Sequence, residues 1–454
     1  MTTPQYYRTL AWLESFLVDI DAVVIGVCEF ESVQRFDKER LESALQQCIN
    51  HHPNLRLNIA TFTKPYYFFQ TKQSCSTPTY IELESKDEWQ RIVDDELNTP
   101  FEFNNEAKGL LKLFVLYDKD PTSRRQYLLL KYHHSIADGT SGMILLNTLL
   151  SCYFNRDQKL STLSSLSDSE TLAFPQVTNE DEKKTEDMIQ TILAYKRQWK
   201  PMIPYEPATG RNLTIYHHGT PENMAQLLNR CRQEKVTIGS VLLTSIYFAI
   251  AELVKDTWLH DASSYFSNFK FDLDVNLRHR YPSPLDRHEH IGLHIGMMTL
   301  NEIVISRETK FWSLCRVIFN DLQRNLSEGR HLTYLRANRL TSTDEQIDEQ
   351  TKRNDGRIND LNFSNIGPYV FQREYEDLKL KHYYCVGSNP CPSVGTNVIL
   401  VCSVESLDYV LLHEAGEKNR LIAKSWFDRM VGLTDRVWRQ TESWTFDHFL
   451  KEST

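Results

Sequence analysis

The stretch Tyr132-His133-His134-Ser135-Ile136-Ala137-Asp138-Gly139-Thr140-Ser141-Gly142 decides how this chain is interpreted. It follows the apolar run 127–130, which has the length of a strand, and it precedes 143–150, whose apolar spacing predicts a buried helix. Two histidines, an aspartate and a glycine therefore lie at a strand-to-helix junction. Rigid elements at such a junction can present side chains to a cleft, whereas core packing gives no reason to place paired imidazoles and a carboxylate there.

The bulk composition is that of a globular chain, because 454 residues with 41% apolar side chains suffice for two lobes with sizeable cores. A net charge of −9 argues against a nucleic-acid binder, since phosphate contacts need a basic surface. The nine cysteines are scattered, which favours reduced thiols. The N-terminus lacks a signal pattern and the apolar stretch 241–254 is too short to span a bilayer, so we expect a cytoplasmic protein without a transmembrane segment.

The first part of the chain mixes strand and helix patterns, and a polar segment then separates it from a second part of similar character. In the first part we predict strands at 23–30, 55–59 and 111–117 and helices at 37–49, with Asp37 as its cap, and 86–97. The polar segment runs from 155 to about 210 and is predicted to be a crossover linker with one helix around 188–199.

The second part is predicted to begin with helices at 222–234 and 237–253. Strands are expected at 269–277, 361–366 and 397–404, with an exposed loop at 341–360 between the first two. The ending predicts one more strand at 422–427 and a closing helix at 433–449.

The chemistry of the opening stretch centres on His134. A neutral histidine beside a hydroxyl or amine can take its proton as a bond to an acyl carbon forms, and such general-base help is worth roughly 10²–10⁴ in rate. Asp138 can fix the turn or the imidazole tautomer, and Gly139 removes a side chain where a substrate or backbone must come close. Spacing alone favours the alternative, a structural histidine pair.

The run from His133 to Gly139 matches, at every fixed position, the HHxxxDG signature of the coenzyme A-dependent acyltransferase superfamily, and the chain is similar to that superfamily. Its members include chloramphenicol acetyltransferase, plant BAHD acyltransferases, condensation domains of peptide synthetases, alcohol acetyltransferases and polyketide-associated acyltransferases. The resemblance implies that His134 is the general base. It also implies that Asp138 is chiefly structural and pairs with an arginine.

Further landmarks follow in the order that the superfamily has them. The segment 52–56 resembles its "HPxLR" element and 237–240 resembles the helix opening of its second lobe. Asp274-Val275-Asn276-Leu277-Arg278-His279-Arg280 resembles its "NLR" strand end, so Arg278 is the candidate partner of Asp138 and Arg280 is the second candidate.

Phe363-Ser364-Asn365-Ile366-Gly367 resembles the superfamily's "SNxG" element. Acyl transfer passes through an oxyanion, and a preorganised donor beside it contributes roughly 3 to 4 kcal/mol, so we expect Ser364 or Asn365 near the reacting centre. A polar turn ending a strand is the alternative. The resemblance places His133, Gly139, Arg278 and Gly367 at the substrate-binding surface. The DFGWG element of plant BAHD enzymes is missing, which favours the alcohol acetyltransferase-like or condensation-like branches.

The resemblance implies an α/β fold in which two chloramphenicol acetyltransferase-like lobes, with mixed sheets and flanking helices, form a pseudo-dimer around a central channel. We predict an N-terminal lobe at 1–155, the linker at 156–210 and a C-terminal lobe at 211–454. An alcohol or amine would attack an acyl thioester directly, without an acyl-enzyme or a metal. We expect acyl-coenzyme A or acyl-phosphopantetheine as co-substrate, no permanent cofactor, an acyl carrier protein as a candidate partner, and a monomer.

Three alternatives stay open at this point. A catalytically silent condensation-like module could bind a carrier protein or another partner without turnover. The run His133-x-Ser135-x-x-Asp138 also fits the HxSxxD core of glycerolipid acyltransferases, but their glycine-rich phosphate motif is missing. His288, His290 and His294 have a spacing that could hold zinc, although no carboxylate or cysteine set accompanies them and a solvated loop is favoured.

Overall fold

The computed structural model describes residues 6–72, 77–120, 122–155, 160–164, 168–206, 210–258, 269, 271–286, 288–300, 303–341, 357, 359–388 and 397–452. Within this part of the chain, helices pack on two six-stranded mixed sheets, and a three-stranded antiparallel sheet lies beside them. The small sheet has the order β1-β4-β3, formed by β1 (Tyr6–Thr9), β4 (Tyr67–Gln70) and β3 (Leu57–Ala60).

The first large sheet holds the strand that ends at the histidine pair. Its order is β12 (Glu374–Tyr375), β13 (Leu378–Gly387), β2 (Val23–Glu31), β7 (Arg125–His133), β6 (Leu111–Asp118) and β5 (Thr79–Leu83). Most of its strand residues are buried on both faces, which explains the nearly continuous apolar runs in the sequence.

The second large sheet is built from the second half of the chain. Its order is β10 (Ile295–Thr299), β9 (Phe271–Asn276), β11 (Leu361–Pro368), β14 (Asn397–Ser403), β15 (Leu407–Glu414) and β8 (Asn212–His218). Strands β12 and β13 are the exceptions, because both come from the second half of the chain but lie in the first sheet, where β13 pairs antiparallel with β2. The later part of the chain therefore crosses back and ties the two sheets together.

The helices cover these sheets and enclose two main cores. They are α1 (Trp12–Asp19), α2 (Lys38–His51), α3 (Glu88–Leu97), α4 (Gly139–Phe154), α5 (Ser169–Ala173), α6 (Asn179–Gln198), α7 (Pro221–Glu234), α8 (Ile238–Leu253), α9 (Lys255–Trp258), α10 (Phe311–Ser327), α11 (Arg330–Thr341), α12 (Glu417–Arg436) and α13 (Phe446–Lys451). Short 3-10 turns lie at Pro53–Arg56 and Val437–Arg439.

The same pairing scheme occurs in both large sheets. In the first sheet β7 pairs antiparallel with β2 and β6, and β6 pairs parallel with β5. In the second, β15 pairs antiparallel with β8 and β14, and β14 pairs parallel with β11. The predicted fold class, two mixed-sheet lobes with flanking helices, is confirmed. The residue numbers that divide the lobes stay a prediction.

Side-chain caps explain several helix starts that the sequence predicted. The Asp37 carboxylate accepts a hydrogen bond from the Arg40 backbone N–H at 2.8 Å. The Thr237 hydroxyl likewise accepts from the Ser240 N–H at the start of α8. Each bond satisfies one of the backbone donors that a helix leaves unpaired at its N-terminus.

Two predicted elements at the end of the chain are wrong. Residues 422–427 belong to α12, and its buried side chains, among them Ala423, Phe427 and Met430, recur every three or four residues as a helix requires. Residues 422–427 are apolar enough to resemble a short strand, which is why the pattern predicted a strand instead of a helix. The single closing helix predicted at 433–449 is divided among the end of α12, the turn Val437–Arg439 and α13.

The polar segment contains more helix than predicted, because α6 starts at Asn179 rather than near 188, and α5 precedes it. The loop predicted at 341–360 lies mostly outside the described residues. In the described part of the chain no single helix is long and apolar enough to cross a bilayer, although α7 and α8, bent by 99° to one another, pass that test as a pair.

Candidate active site at the junction of the lobes

His134 is the first residue after β7, and its ring is fixed by the turn that follows. Its backbone N–H donates to the Ala22 carbonyl at 2.8 Å, and its Nδ1 lies 3.1 Å from the Ala137 carbonyl oxygen. A carbonyl can only accept, so the proton sits on Nδ1 and the lone pair on Nε2. No group in the described part of the chain bonds Nε2, and the side chain is half-buried. His134 thus presents a proton acceptor to accessible space.

His133 has the opposite tautomer and no exposure. Its Nδ1 accepts from the Ser135 N–H at 3.2 Å and lies 2.7 Å from the Ser135 hydroxyl, so the proton is on Nε2. Its ring packs edge-on against Phe101 and Phe103. Burial and the neighbouring His134 lower the pKa of His133 to about 3. The substrate-binding role that the sequence suggested for His133 stays a prediction, and its contacts are those of a packed side chain.

Asp138 caps α4 and binds Arg278 across the lobe junction. Its Oδ1 accepts from the Ser141 N–H and hydroxyl, both at 2.8 Å. The Arg278 guanidinium donates to Oδ2 at 2.8 Å and to Oδ1 at 3.0 Å. Burial alone would raise the pKa of Asp138, but the charge and hydrogen bonds of Arg278, together with the His294 N–H, hold it at about 2. Asp138 is therefore ionised at neutral pH.

The remaining donors of Arg278 bind the Ser141 hydroxyl and two backbone carbonyls of the second lobe. Its Nε donates to the His290 carbonyl at 3.1 Å, and Nη2 reaches the Ser141 hydroxyl at 2.8 Å and the Gly292 carbonyl at 3.3 Å. Arg280, the second candidate, makes none of these bonds within the described part of the chain and is half-buried. The pair Asp138–Arg278 is thus a bidentate link between the histidine turn and the end of β9.

Ser141 and Gly292 also belong to this network, although the sequence did not single them out for it. The Gly292 carbonyl accepts from the Asp138 N–H at 3.2 Å, and the Gly292 N–H donates to the Ser141 hydroxyl at 3.1 Å. The sequence could have predicted the Ser141 contact, because the side chain of a capping residue such as Asp138 accepts a hydrogen bond from the backbone N–H three residues later. Gly292 could not be found locally because its contact spans 151 residues.

The histidine cluster of the second lobe does not come together as a metal site. The His294 ring is buried and its Nδ1 lies 3.0 Å from the Tyr281 hydroxyl, while its backbone N–H donates to Asp138 at 2.9 Å. His288 is exposed against Phe371. Among the described residues no group of three or more His, Cys, Asp or Glu side chains could hold a metal ion.

Gly139 lies at a close approach between the lobes. A Cβ at this position would stand 2.5 Å from Cδ1 of Ile366 and 3.2 Å from the Cys385 sulfur, distances that leave no space for it. The glycine therefore lets the start of α4 pack against β11. Passage of a substrate at Gly139 stays a prediction.

The two polar residues of the SNxG element point to opposite faces of β11. Ser364 shares its face with Asn362, and both side chains hydrogen bond to Asp274. Asn365 is exposed on the other face, where a Cβ on Gly239 at the start of α8 would stand 3.5 Å from its Nδ2. Gly367 has a φ of +91°, a conformation that glycine adopts without strain. Ser364, not Asn365, shares the face of Ile366, which contacts Gly139.

Comparison with known proteins places the chain. Residues 27–257, half of the chain, match the family model of the Condensation domain. Surfactin synthase subunit 2 of Bacillus subtilis (strain 168) is 31% identical over 127 residues, and Vanchrobactin synthetase VabF of Vibrio anguillarum is 25% identical over 230 residues. These regions are 27% and 48% of this chain but 3% and 8% of those proteins, so the chain spans less than a tenth of the curated relatives.

Solved structures resemble the chain over nearly its whole length. Polyketide synthase associated protein 5 from Mycobacterium tuberculosis superposes with a TM-score of 0.68 at 13% identity, covering 96% of this chain and 99% of that one. Trichothecene 15-O-acetyltransferase from Fusarium sporotrichioides gives 0.68 at 14% identity, covering 94% and 95%. Identities this low establish the fold alone, whereas the family match covers half of the sequence. The chain therefore belongs to the condensation domain family.

Proposed function

We propose that this protein is an acyltransferase that moves an acyl group from a coenzyme A or carrier-protein thioester to an alcohol or amine, with His134 as the general base. The observation that carries the proposal is the His134 ring. Its Nδ1–H is donated to the Ala137 carbonyl, and its Nε2 faces accessible space at the junction of the lobes. Burial lowers the pKa of His134 below its usual value, although Asp138 partly offsets this, so the ring is neutral at pH 7.

The reaction follows from this protonation state. As the acceptor oxygen or nitrogen bonds to the thioester carbonyl carbon, its proton passes to Nε2 of His134. The tetrahedral oxyanion then collapses, the C–S bond breaks, and the leaving thiolate takes the proton from the imidazolium. An ester or amide and a free thiol result, and the neutral imidazole is restored.

Asp138 supports this chemistry as a positioning residue rather than as a proton carrier. Its two oxygens are occupied by Arg278, Ser141 and the His294 N–H, so neither is available to the imidazole. A carboxylate held ionised at the start of α4 fixes the turn whose Ala137 carbonyl orients the His134 ring. Because Arg278 lies two residues beyond the end of β9, its pair with Asp138 also links the two lobes at a fixed distance.

Ser364 is our candidate for stabilising the oxyanion. It lies on the same face of β11 as Ile366, which packs against Gly139 five residues after His134. In the described arrangement its hydroxyl hydrogen bonds to Asp274, so rotation of that hydroxyl would be needed to reach the oxyanion. Asn365 points to the opposite face, which leaves Ser364 as the better placed of the two.

The test is thiol release from acyl-coenzyme A donors presented with pooled alcohols and amines, with mass detection of the products. His134→Ala should lower kcat by roughly 10²- to 10⁴-fold while the melting temperature is retained. The control is His288→Ala, which removes an exposed imidazole from the second lobe and should leave turnover unchanged.

Equal turnover in wild type and His134→Ala would refute the proposed base. If no thioester is consumed by the wild-type protein with coenzyme A or carrier-bound donors, and a carrier protein binds, the protein is a silent binding module instead. The folding of each protein preparation used in these assays is checked by its thermal melting.

A further inference from the structure

Polar side chains line one face of β9 and β11, next to Ser364, the oxyanion candidate of the proposed mechanism. Asp272, Asp274 and Asn276 alternate along β9, so they share a face, and Asn362 on β11 bonds to Asp274 from that side. Polar residues are unexpected on two neighbouring strands that both lie inside the sheet rather than at its edge. We call Asp274, Asn276, Asn362 and Ser364 the polar wall.

The polar wall faces the first lobe beside the start of α4. The Asn276 side chain donates to the Thr140 hydroxyl at 3.0 Å, and Ile366, on the wall's face of β11, packs against Gly139. Ile295, directly opposite Asn276 on β10, packs against a small core that includes Leu17 of α1. The members of the wall are all half-exposed, as His134 is, whereas the alternate residues Leu273 and Val275 are buried. The wall therefore borders accessible space between the lobes.

Asp274 has no positive partner in the part of the chain that the structure describes. Its bonds come from neutral groups, namely the Asn362 amide at 3.2 Å and the Ser364 hydroxyl. Burial and the nearby Asp272 raise the pKa of Asp274 to about 6, although the two hydrogen bonds act against this. A carboxylate without a counter-charge is costly in such a place, and a cation arriving there would relieve the cost.

The neighbouring oxygens also lack donors. Oδ1 of Asn362 and Oδ1 of Asn359 are buried without a hydrogen-bond partner among the described residues. Asn359, which is 3% exposed, donates its amide to Asp272 one strand step along the same face. An ammonium group has three N–H donors and no acceptor, so it matches a surface of one carboxylate and unpaired amide oxygens.

We infer that Asp274 binds a positively charged amine of the acyl acceptor, set apart from the hydroxyl or amine that reacts at His134. The inference rests on the proposed function, since it names the class of acceptor. Asp274 and Asn276 are two residues apart on β9, which corresponds to about 6.6 Å along a strand. Asp274 is therefore at least that far from Asn276, the wall residue beside Thr140. The phosphate of a coenzyme A or phosphopantetheine arm would be repelled by this carboxylate, which leaves the acceptor as the partner of the wall.

The experiment compares 1,5-diaminopentane with pentylamine as acceptors in thiol release, with one acyl-coenzyme A donor held constant. The wild-type protein should prefer the diamine. Asp274→Asn keeps the shape and the bond from Asn362 but removes the charge. It should lower the ratio of kcat/KM for the diamine to kcat/KM for pentylamine by about 10- to 100-fold. Asp272→Asn is the matched control from the same face of the same strand and should change neither value.

Binding of 1,5-diaminopentane is measured in parallel by calorimetry on wild type, Asp274→Asn and His134→Ala. Binding that persists in His134→Ala and is lost in Asp274→Asn supports the inference even if no thioester is consumed. Equal losses for both amines in Asp274→Asn, or unchanged diamine binding in that variant, would overturn it while leaving the proposed acyl transfer in place.

Discussion

Each lobe has a histidine where a strand inside the sheet leads into a long helix, and of the two rings only that of His134 is half-exposed. In the first lobe β7 ends at His133 and α4 starts at Gly139, with His134–Asp138 between them. In the second, β15 ends at Glu414 and α12 starts at Glu417. His413 donates Nδ1–H to the Glu414 carbonyl at 2.8 Å, as His134 does to Ala137 at 3.1 Å.

The two rings share a tautomer and a lowered pKa, so neither property distinguishes them. Burial is the main cause of the lowered pKa in both. The two rings differ in their exposure. Nε2 of His413 is buried without a partner in the described part of the chain, whereas His134 is half-exposed. The turn between strand and helix is longer in the first lobe, so His134 lies beyond the end of its strand. The ion pair of Asp138 with Arg278 fixes this turn.

The largest effect should come from the ion pair that fixes only the first junction. Arg278→Met would leave the Asp138 carboxylate buried without its counter-charge, and we expect a loss of about 3–5 kcal/mol in the free energy of unfolding. Urea titration measures it. The control is Arg307→Ala, which breaks an exposed pair with Asp447 and should cost less than about 1 kcal/mol. Similar losses in the two variants would contradict the structural role given to Asp138–Arg278.

Glycine is required at both helix starts, but for different reasons. Gly139→Ala should cost about 1–3 kcal/mol because its Cβ would meet Ile366, and Ile366→Val should restore part of that loss by removing Cδ1. Gly416→Ala should cost a similar amount, about 1–3 kcal/mol, because φ is +130° there. Ile366→Val should not rescue Gly416→Ala. A double-mutant cycle measures both, and rescue of the two alanine variants alike would contradict the steric explanation.

The His413 ring should matter for stability and not for turnover. His413→Gln removes one buried hydrogen bond to the Glu414 carbonyl, so we expect a loss of about 1 kcal/mol in the free energy of unfolding. Thiol release per folded molecule should stay at the wild-type rate. A fall in that rate as large as in His134→Ala would mean that the exposure of the histidine ring does not distinguish the two junctions.

The smallest expected effect is a displacement of the pH profile. The imidazole acts as a base only when neutral, and burial lowers the pKa of His134 from its usual 6.5. As the pH rises, kcat/KM should therefore increase through a midpoint below 6.5 and level off by pH 7. A midpoint at or above 6.5 would show that another group limits the rate or that Nε2 is better solvated than the structure indicates.

The sequence by itself determined the elements around the site and the family. The apolar run before His133 and the apolar spacing after Gly139 required a strand and then a helix, and Asp37 and Thr237 marked two helix starts because capping is a local interaction. The ordered landmarks led to the family that the match over 27–257 establishes. Short apolar runs failed where length could not separate strand from buried helix, as in α12.

Only the tertiary structure decided which partners meet. Arg278 rather than Arg280 reaches Asp138, Ser364 rather than Asn365 faces the first lobe, and β13 returns to pair with β2. The Asp138–Arg278 contact joins residues 140 positions apart, and no local pattern encodes such a distance. Exposure of a ring nitrogen likewise depends on the side chains that pack around it. The sequence therefore placed His134 at the junction but could not show that Nε2 of His413, a ring with the same tautomer, is buried.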